Sequence, residues 1–488
     1  QIFDEDLVSA DDFMGESIVE IPFEESFEKP LTSWYRVGTG TGNLRCKKAS
    51  GEIQVKVSLS AKQIIKMARG NTYPLPCRRI QVSLQWSIEY GQKIDLDTSC
   101  VGIDRYGNIL MDETVYFGDL MNSNRSILHS GDAREGGMGE MIDCNLDSVS
   151  SSVRALYFIV TVATPNKTLK DVKTASVKVI DKTSHTTLCQ FIPGLGAEYT
   201  AMFLMRVTRD RTNWSMSIIE EVASARDFGT LIPEIKGYSR DICPGIVINP
   251  RERIAILRKG EAIRVKDYGK GAPLDQKLVF GLAWDVTNGQ NIDLDASAIC
   301  LDSSLNELEI ISFNHLRSND GSIQHGGDER EGDEIGDDEK IFINLGRIQS
   351  NVQYVAFVIN SYSGQELDDI SKASCHLFNA STNVDLVRYQ ISNDRSLDKH
   401  TGLLMACLYR DSNEWNLRII GQAAQGLVAA KVVNDLKRFL RNVPPPQPAF
   451  VPEPEIIVNV MPDFLPVEDE IVVNPFIPQS KAPFVPGS

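Results

Sequence analysis

The sequence predicts an all-β protein made of β-sandwiches, and three observations carry that prediction. Its apolar segments are short, β-branched and alternating, as in "RIQVSLQWSI" from Arg79, "ALYFIVTVAT" from Ala155 and "QYVAFVINSY" from Gln353, with Gly, Asn and Asp turns between them. The chain also repeats itself: Trp86, Gly91 and Asp95 recur as Trp284, Gly289 and Asp293 at an offset of 198. "LHSGDAREG" from Leu128 is answered by "QHGGDEREG" from Gln324, and "RDRTNW" ending at Trp214 by "RDSNEW" ending at Trp415, so this is a tandem duplication. Finally, helical periodicity is confined to Gln425 to Arg441, where Leu427, Val432, Val433, Leu436 and Leu440 form one apolar stripe.

Six segments follow along the chain. Residues 1–60 form a partial sandwich, 61–77 a linker, 78–234 the first repeat, 235–252 a second linker, 253–442 the second repeat and 443–488 a tail. Twelve of the 22 prolines fall in that tail, which excludes regular sheet or helix there. Its "IIVN" and "IVVN" segments nonetheless carry exposed apolar residues, which suit an extended arm laid into a partner protein's groove or along a sheet edge.

The 488 residues include 66 acids and 50 bases, a net charge of -16 that repels phosphate backbones, excludes nucleic acid as the expected partner and favours divalent cations. Nine scattered cysteines without a C-x-x-C pair disfavour a disulfide framework or thiolate zinc site, and point to a reducing, cytoplasmic setting. No apolar run approaches the ~18 residues of a transmembrane helix.

Acidic residues are concentrated. From His325 to Lys340 eight acids face two bases, a net -6 in a glycine-bent loop. Such crowding is repulsive unless a cation sits among the carboxylates, and hard oxygen ligands in a flexible loop suit calcium. Alternation along "NIDLDAS" places Asp293 and Asp295 on one face of a strand, able to converge on that loop. The first repeat keeps Asp95, Asp97, Asp132 and Glu140, but its loop is three residues shorter, lacks the Asp-Asp pair and carries only -2, so a weak metal site is expected there. No G-x-S-x-G, H-E-x-x-H or Walker lysine is present, so a non-enzymatic protein is expected. His129 and His325 each precede a Gly-Asp turn, where orienting the loop is the expected role.

"GLAWD" at Gly281–Asp285, "DLDAS" at Asp293–Ser297, the acidic loop and "YRDSNEW" at Tyr409–Trp415 resemble the TerD family, named for tellurite resistance. That resemblance implies a calcium-binding β-sandwich with candidate ligands Asp293, Asp295, Asp328, Asp337, Asp338 and Glu339. Ile335 stands where an acid is common in the family, with Asp333 and Glu334 as its substitutes. Upstream, "FDEDLVSADDFMGE" from Phe3 and "LTSWYRV" from Leu31 resemble the C-terminal part of a C2 domain, with Asp4, Asp6 and Asp12 in calcium-loop positions and Trp34 beginning the penultimate strand. This implies calcium-dependent contact with anionic phospholipid. The expected whole is a non-enzymatic calcium-binding adaptor or scaffold, attached to an anionic membrane or a protein assembly. The alternative is a calcium-independent structural subunit held in a large complex by its proline-rich tail.

Overall fold

The computed structural model describes residues 2–3, 13–15, 17, 31–39, 47, 49–57, 65–88, 94–131, 139–194, 196, 198–268, 277–285, 293–327, 337–367, 371–390, 397–448 and 465–466. The chain divides into two units, Gln1–Ile64 and Ile65–Ser488. In the first unit Ile2–Phe3 pairs antiparallel with Phe13–Gly15, and Leu31–Arg36 with Glu52–Val57. Trp34 is the fourth residue of its strand, which begins at Leu31. The strand starts earlier than the tryptophan suggests because Leu31, Thr32 and Ser33 already pair with Val57, Lys56 and Val55. Asp4, Asp6 and Asp12 lie outside the described residues.

The second unit holds both repeats, each a sandwich of two sheets. In the first repeat a six-stranded sheet runs Ile127–His129, Glu140–Asn145, Arg79–Ile88, Val172–Asp181, Thr186–Phe191, Ile65–Lys66. Its opposing sheet runs Leu465–Pro466, Asn71–Pro74, Asn213–Ala223, Ala201–Asp210, Ala155–Val162, Leu96–Ile103, Ile109–Val115. The second repeat copies this order. One sheet is Ala255–Ile256, Asp385–Gln390, Ser371–Asn379, Lys277–Asp285, Glu339–Asn344, Ile323–His325; the other is Ala262–Arg264, Glu414–Ala424, Gly402–Asp411, Tyr354–Ser361, Leu294–Leu301, Glu307–Ile311.

The continuous apolar runs reflect strands covered on both faces. In Ala155–Val162, Leu156, Phe158 and Val160 enter the core between the sheets, whereas Tyr157 and Ile159 join a second cluster with Phe228, Ile232 and Ile235. That outer cluster is capped by the short helix α1 (Ile232–Gly237). The stretch 235–252, expected as a linker, therefore begins inside a packing element; six residues are too few to show helical periodicity. Residues 61–77 are likewise not a linker, since Ile65–Lys66 is an edge strand and Asn71–Pro74 pairs with Asn213–Ala223. Short strands separated by Gly70 and ended by Pro74 look like linker in sequence.

In the second repeat α2 (Ala429–Asn442) covers the matching outer face through Val432, Val433 and Leu436. Each such buried side chain contributes roughly 1.5–3 kcal/mol. The expected start at Gln425 moves to Ala429 because Val428 is extended, with φ -147° and ψ 155°. Of the tail, Leu465–Pro466 pairs in parallel with Asn71–Thr72; the "IIVN" and "IVVN" segments lie outside the described residues. The "RDSNEW" motif proves to be a two-residue hairpin turn with Ser412 and Asn413 at φ 51° and 70°. Arg410 stacks 4.6 Å from the Trp415 ring and donates to the Ile348 carbonyl at 2.9 Å, tying the hairpin to a neighbouring turn.

Candidate metal and ion-pair site

One end of the second sandwich gathers the acidic residues. The strand Lys277–Asp285 finishes there, Leu294–Leu301 and Glu339–Asn344 begin there, and Ile323–His325 leads into the acidic loop. Between the two sheets, the Ala296 N–H donates to Glu339 Oε2, and His325 Nε2 lies 2.9 Å from the Ala296 carbonyl oxygen. The Gly327 N–H donates to His325 Nδ1 at 3.2 Å, so the proton sits on Nε2 and is donated to that carbonyl. The histidine thus holds the first residues of the loop against the strand.

The first repeat builds the same pin. Thr98 donates to Glu140 Oε2 through its N–H at 2.7 Å and its hydroxyl at 2.5 Å, His129 Nε2 is 3.1 Å from the Thr98 carbonyl oxygen, and the Gly131 N–H donates to His129 Nδ1 at 3.0 Å. His129, Glu140, His325 and Glu339 are all buried. Glu140 and Glu339 enter the sequence reading as metal candidates; both are anchored to a facing strand. Repetition of the His and Glu in both copies was the signal that could have revealed the pin.

The other candidates separate. Asp338, buried, accepts from the Trp284 N–H at 2.8 Å. Asp337 turns the other way: its Oδ1 is 2.7 Å from His376 Nε2, His376 Nδ1 is 2.5 Å from Asp385 Oδ1, and Arg388 Nε donates to Asp385 Oδ2 at 2.5 Å. Gly281 makes room for this chain, since a Cβ there would stand 2.6 Å from Asp337 Oδ2. Burial works against a charged His376, but its hydrogen bonds to Asp337 and Asp385 outweigh burial and raise its pKa. Leu294, Ala296 and Ala298 point into the core between the sheets, so Asp293 and Asp295 take the outer face of their sheet. Cys375 and Leu377 also point inward, which puts His376, and Asp337 with it, on the outer face of the opposite sheet. The structure therefore does not bring Asp337 to Asp295. Asp328, Asp333 and Asp132 lie outside the described residues, and among those described no three His, Cys, Asp or Glu side chains form a metal-holding group.

In the first repeat the aspartate pair meets a cation supplied by the chain. Arg258 Nη2 donates to Asp97 Oδ2, its Nη1 is 3.9 Å from Asp95 Oδ2, and its guanidinium lies 3.8 Å from the centre of the Phe117 ring. Burial pushes the Asp97 carboxyl up to about 7 while Arg258 pulls it back. Arg258 is 161 residues from Asp97, and no local pattern marks it.

Two β-sandwiches with the same strand order, the same His–Glu pin and the same aspartate pair define a tandem repeat protein. The TerD domain profile matches residues 63–232 and 254–434, and the chain belongs to the TerD family of tellurium-resistance and stress-response proteins. Similar proteins include tellurium resistance protein TerZ of Serratia marcescens, 33% identical over 33% of this chain and 86% of that protein, and TerD of the same species, 36% identical over 33% and 88%. General stress protein 16U of Bacillus subtilis is 33% identical over 36% of this chain and 92% of its own length. A crystal structure of a homologue of telluride resistance protein TerD from Streptomyces coelicolor matches with a TM-score of 0.29 and 17% identity, over 32% of this chain and 94% of that one.

Proposed function

We propose that the protein is a non-enzymatic, calcium-binding adaptor in a stress response, with the metal held at the acidic end of the second repeat. The observation that carries this reading is Arg258: the matched Asp95 and Asp97 already hold a positive charge, so this end of the sandwich is built for a cation. In the second repeat the donors are hard carboxylate oxygens, as calcium requires. Asp293, Asp295 and Asp338 are its candidate ligands, which do not by themselves form a three-carboxylate group, so Asp328 and Asp333 of the adjoining loop would complete the set; Asp337 and Glu339 are engaged with His376 and Ala296. A bound calcium ion would offset part of the -6 of the loop. Saturating calcium at ~100 times Kd stabilises a protein by about 2.7 kcal/mol, enough to raise the melting temperature of a repeat this size by ~5 °C or more. The Asp293→Asn, Asp338→Asn double variant of the full chain should lose that rise. An undiminished calcium-induced rise in the variant rules the assignment out.

The C2-like unit is proposed to meet anionic phospholipid through Asp4, Asp6 and Asp12. Flotation with phosphatidylserine vesicles should require calcium and fail in the Asp4→Asn, Asp12→Asn variant; calcium-independent flotation would refute the role. The tail is proposed as the protein-docking arm. The parallel pairing of Leu465–Pro466 with Asn71–Thr72 supports a sheet-edge mode for it, and favours the calcium-independent structural reading as the second choice.

A further inference from the structure

We infer that residues 444–448, "PPPQP", form a rigid polyproline ligand that the second repeat presents to the aromatic-lined groove of a partner protein. Proline fixes φ near about -65° and holds the residue before it extended, so this stretch is confined to the left-handed polyproline helix of about three residues per turn. Val443, which leads into it, is extended at φ -122° and ψ 95°. Two side chains of the sandwich hold the backbone of this segment. Arg418 Nη1 donates to the Val443 carbonyl at 3.0 Å, and the Tyr409 hydroxyl donates to the Pro446 carbonyl at 3.4 Å.

The spacing of those two bonds is the period of that helix. Carbonyls three residues apart point the same way on it and stand about 9 Å apart, at a rise of ~3.1 Å per residue. Their donors match this spacing. Leu408 and Leu417 point into the core, so Tyr409 and Arg418 share the outer face of their sheet, and Arg418 pairs with Cys407, two residues from Tyr409. That places the two Cα atoms roughly 8 Å apart. Arg418 is 1% exposed and also stacks 4.8 Å from the Phe439 ring in the last turn of α2, which fixes this anchor. At the matched positions the first repeat has Thr208 and Ser217, so the anchors stand in the copy that a proline-rich segment follows. With two carbonyls turned to the sandwich, Pro444, Pro445 and Gln447 are left exposed. Four of the five residues lack an N–H and cannot extend a sheet, whereas aromatic grooves recognise this preformed helix. The tethers also reduce the conformational freedom that docking would remove. From Lys431 to Pro448 four bases face one acid, a net +3 in a chain of -16, and Lys431, Arg438 and Arg441 are exposed, so the matching groove has an acidic rim.

This inference rests on the reading of the tail as a docking arm, and assigns the contact to a segment other than Leu465–Pro466 and beyond the TerD profile, which ends at residue 434. The full chain, in chelator, is titrated into a panel of recombinant WW and Src-homology 3 domains, with the fluorescence of their groove tryptophans as the readout. Saturable binding is expected. Pro445→Ala with Pro448→Ala, which removes the two prolines of one helix face, should weaken it at least ~10-fold. Tyr409→Phe frees one tether without touching the groove and should weaken it about 3-fold. Ile457→Asp with Val472→Asp, in the distal tail, should leave it unchanged; loss of binding there overturns this segment while the docking-arm reading stands. No binding by any member of the panel, or undiminished binding by the proline variant, overturns the ligand. Tyr409→Phe equal to wild type overturns its presentation by the sandwich.

Discussion

Replacing Arg258 with alanine is expected to destabilise the protein by about 3 kcal/mol, the lower end of the range for removing one partner of a buried ion pair. Asp97 is 2% exposed, and without the guanidinium its carboxylate is left in a site shared with Asp95. The Arg258 side chain keeps 27% of its surface, which places the expectation at the lower end. The Asp97→Asn variant added to Arg258→Ala should restore part of the loss, because the stranded charge is gone, and Arg258→Lys should fall between wild type and alanine because it retains charge but not the stacking plane. Urea midpoints in chelator give all four stabilities. A loss below about 1 kcal/mol for Arg258→Ala, or no recovery in the double variant, would mean that the pair is a solvated surface contact.

The duplication was legible because matched tryptophans, glycines and aspartates keep register, and the sandwich class followed from alternating strands. What could not be read were long-range pairings. Asp97 meets Arg258 across the boundary between repeats, Asp337 meets His376, which in turn meets Asp385, on an outer face, and Glu339 meets a backbone N–H of the facing sheet. Each carboxylate looked alike in sequence, and only the strand pairing separates pin, relay and cation site. Two strands of the first repeat hid for another reason: Ile65–Lys66 and Asn71–Pro74 are too short for periodicity to register.

Glu339→Ala is expected to cost about 3 kcal/mol, because it removes a buried acceptor and leaves its donor behind. The Ala296 N–H sits in a strand buried at every residue, so water cannot replace the lost oxygen, and an unsatisfied buried donor costs roughly 1–3 kcal/mol. A cavity where the carboxylate stood adds to this. Glu339→Gln keeps a carbonyl oxygen on the same stem and should lose under about half as much. The two substitutions also separate the pin from a metal ligand. A pin fails equally in chelator and in calcium, since the Ala296 N–H needs its acceptor in both; a ligand would show its loss only with calcium present. The same pair of measurements on Glu140, where both the N–H and the hydroxyl of Thr98 lose their acceptor, should give a loss at least as large. If Glu339→Ala unfolds at the wild-type urea midpoint in chelator and falls behind only when calcium is added, Glu339 belongs to the cation site, and the bond from His325 to the Ala296 carbonyl is what ties the two sheets at this end.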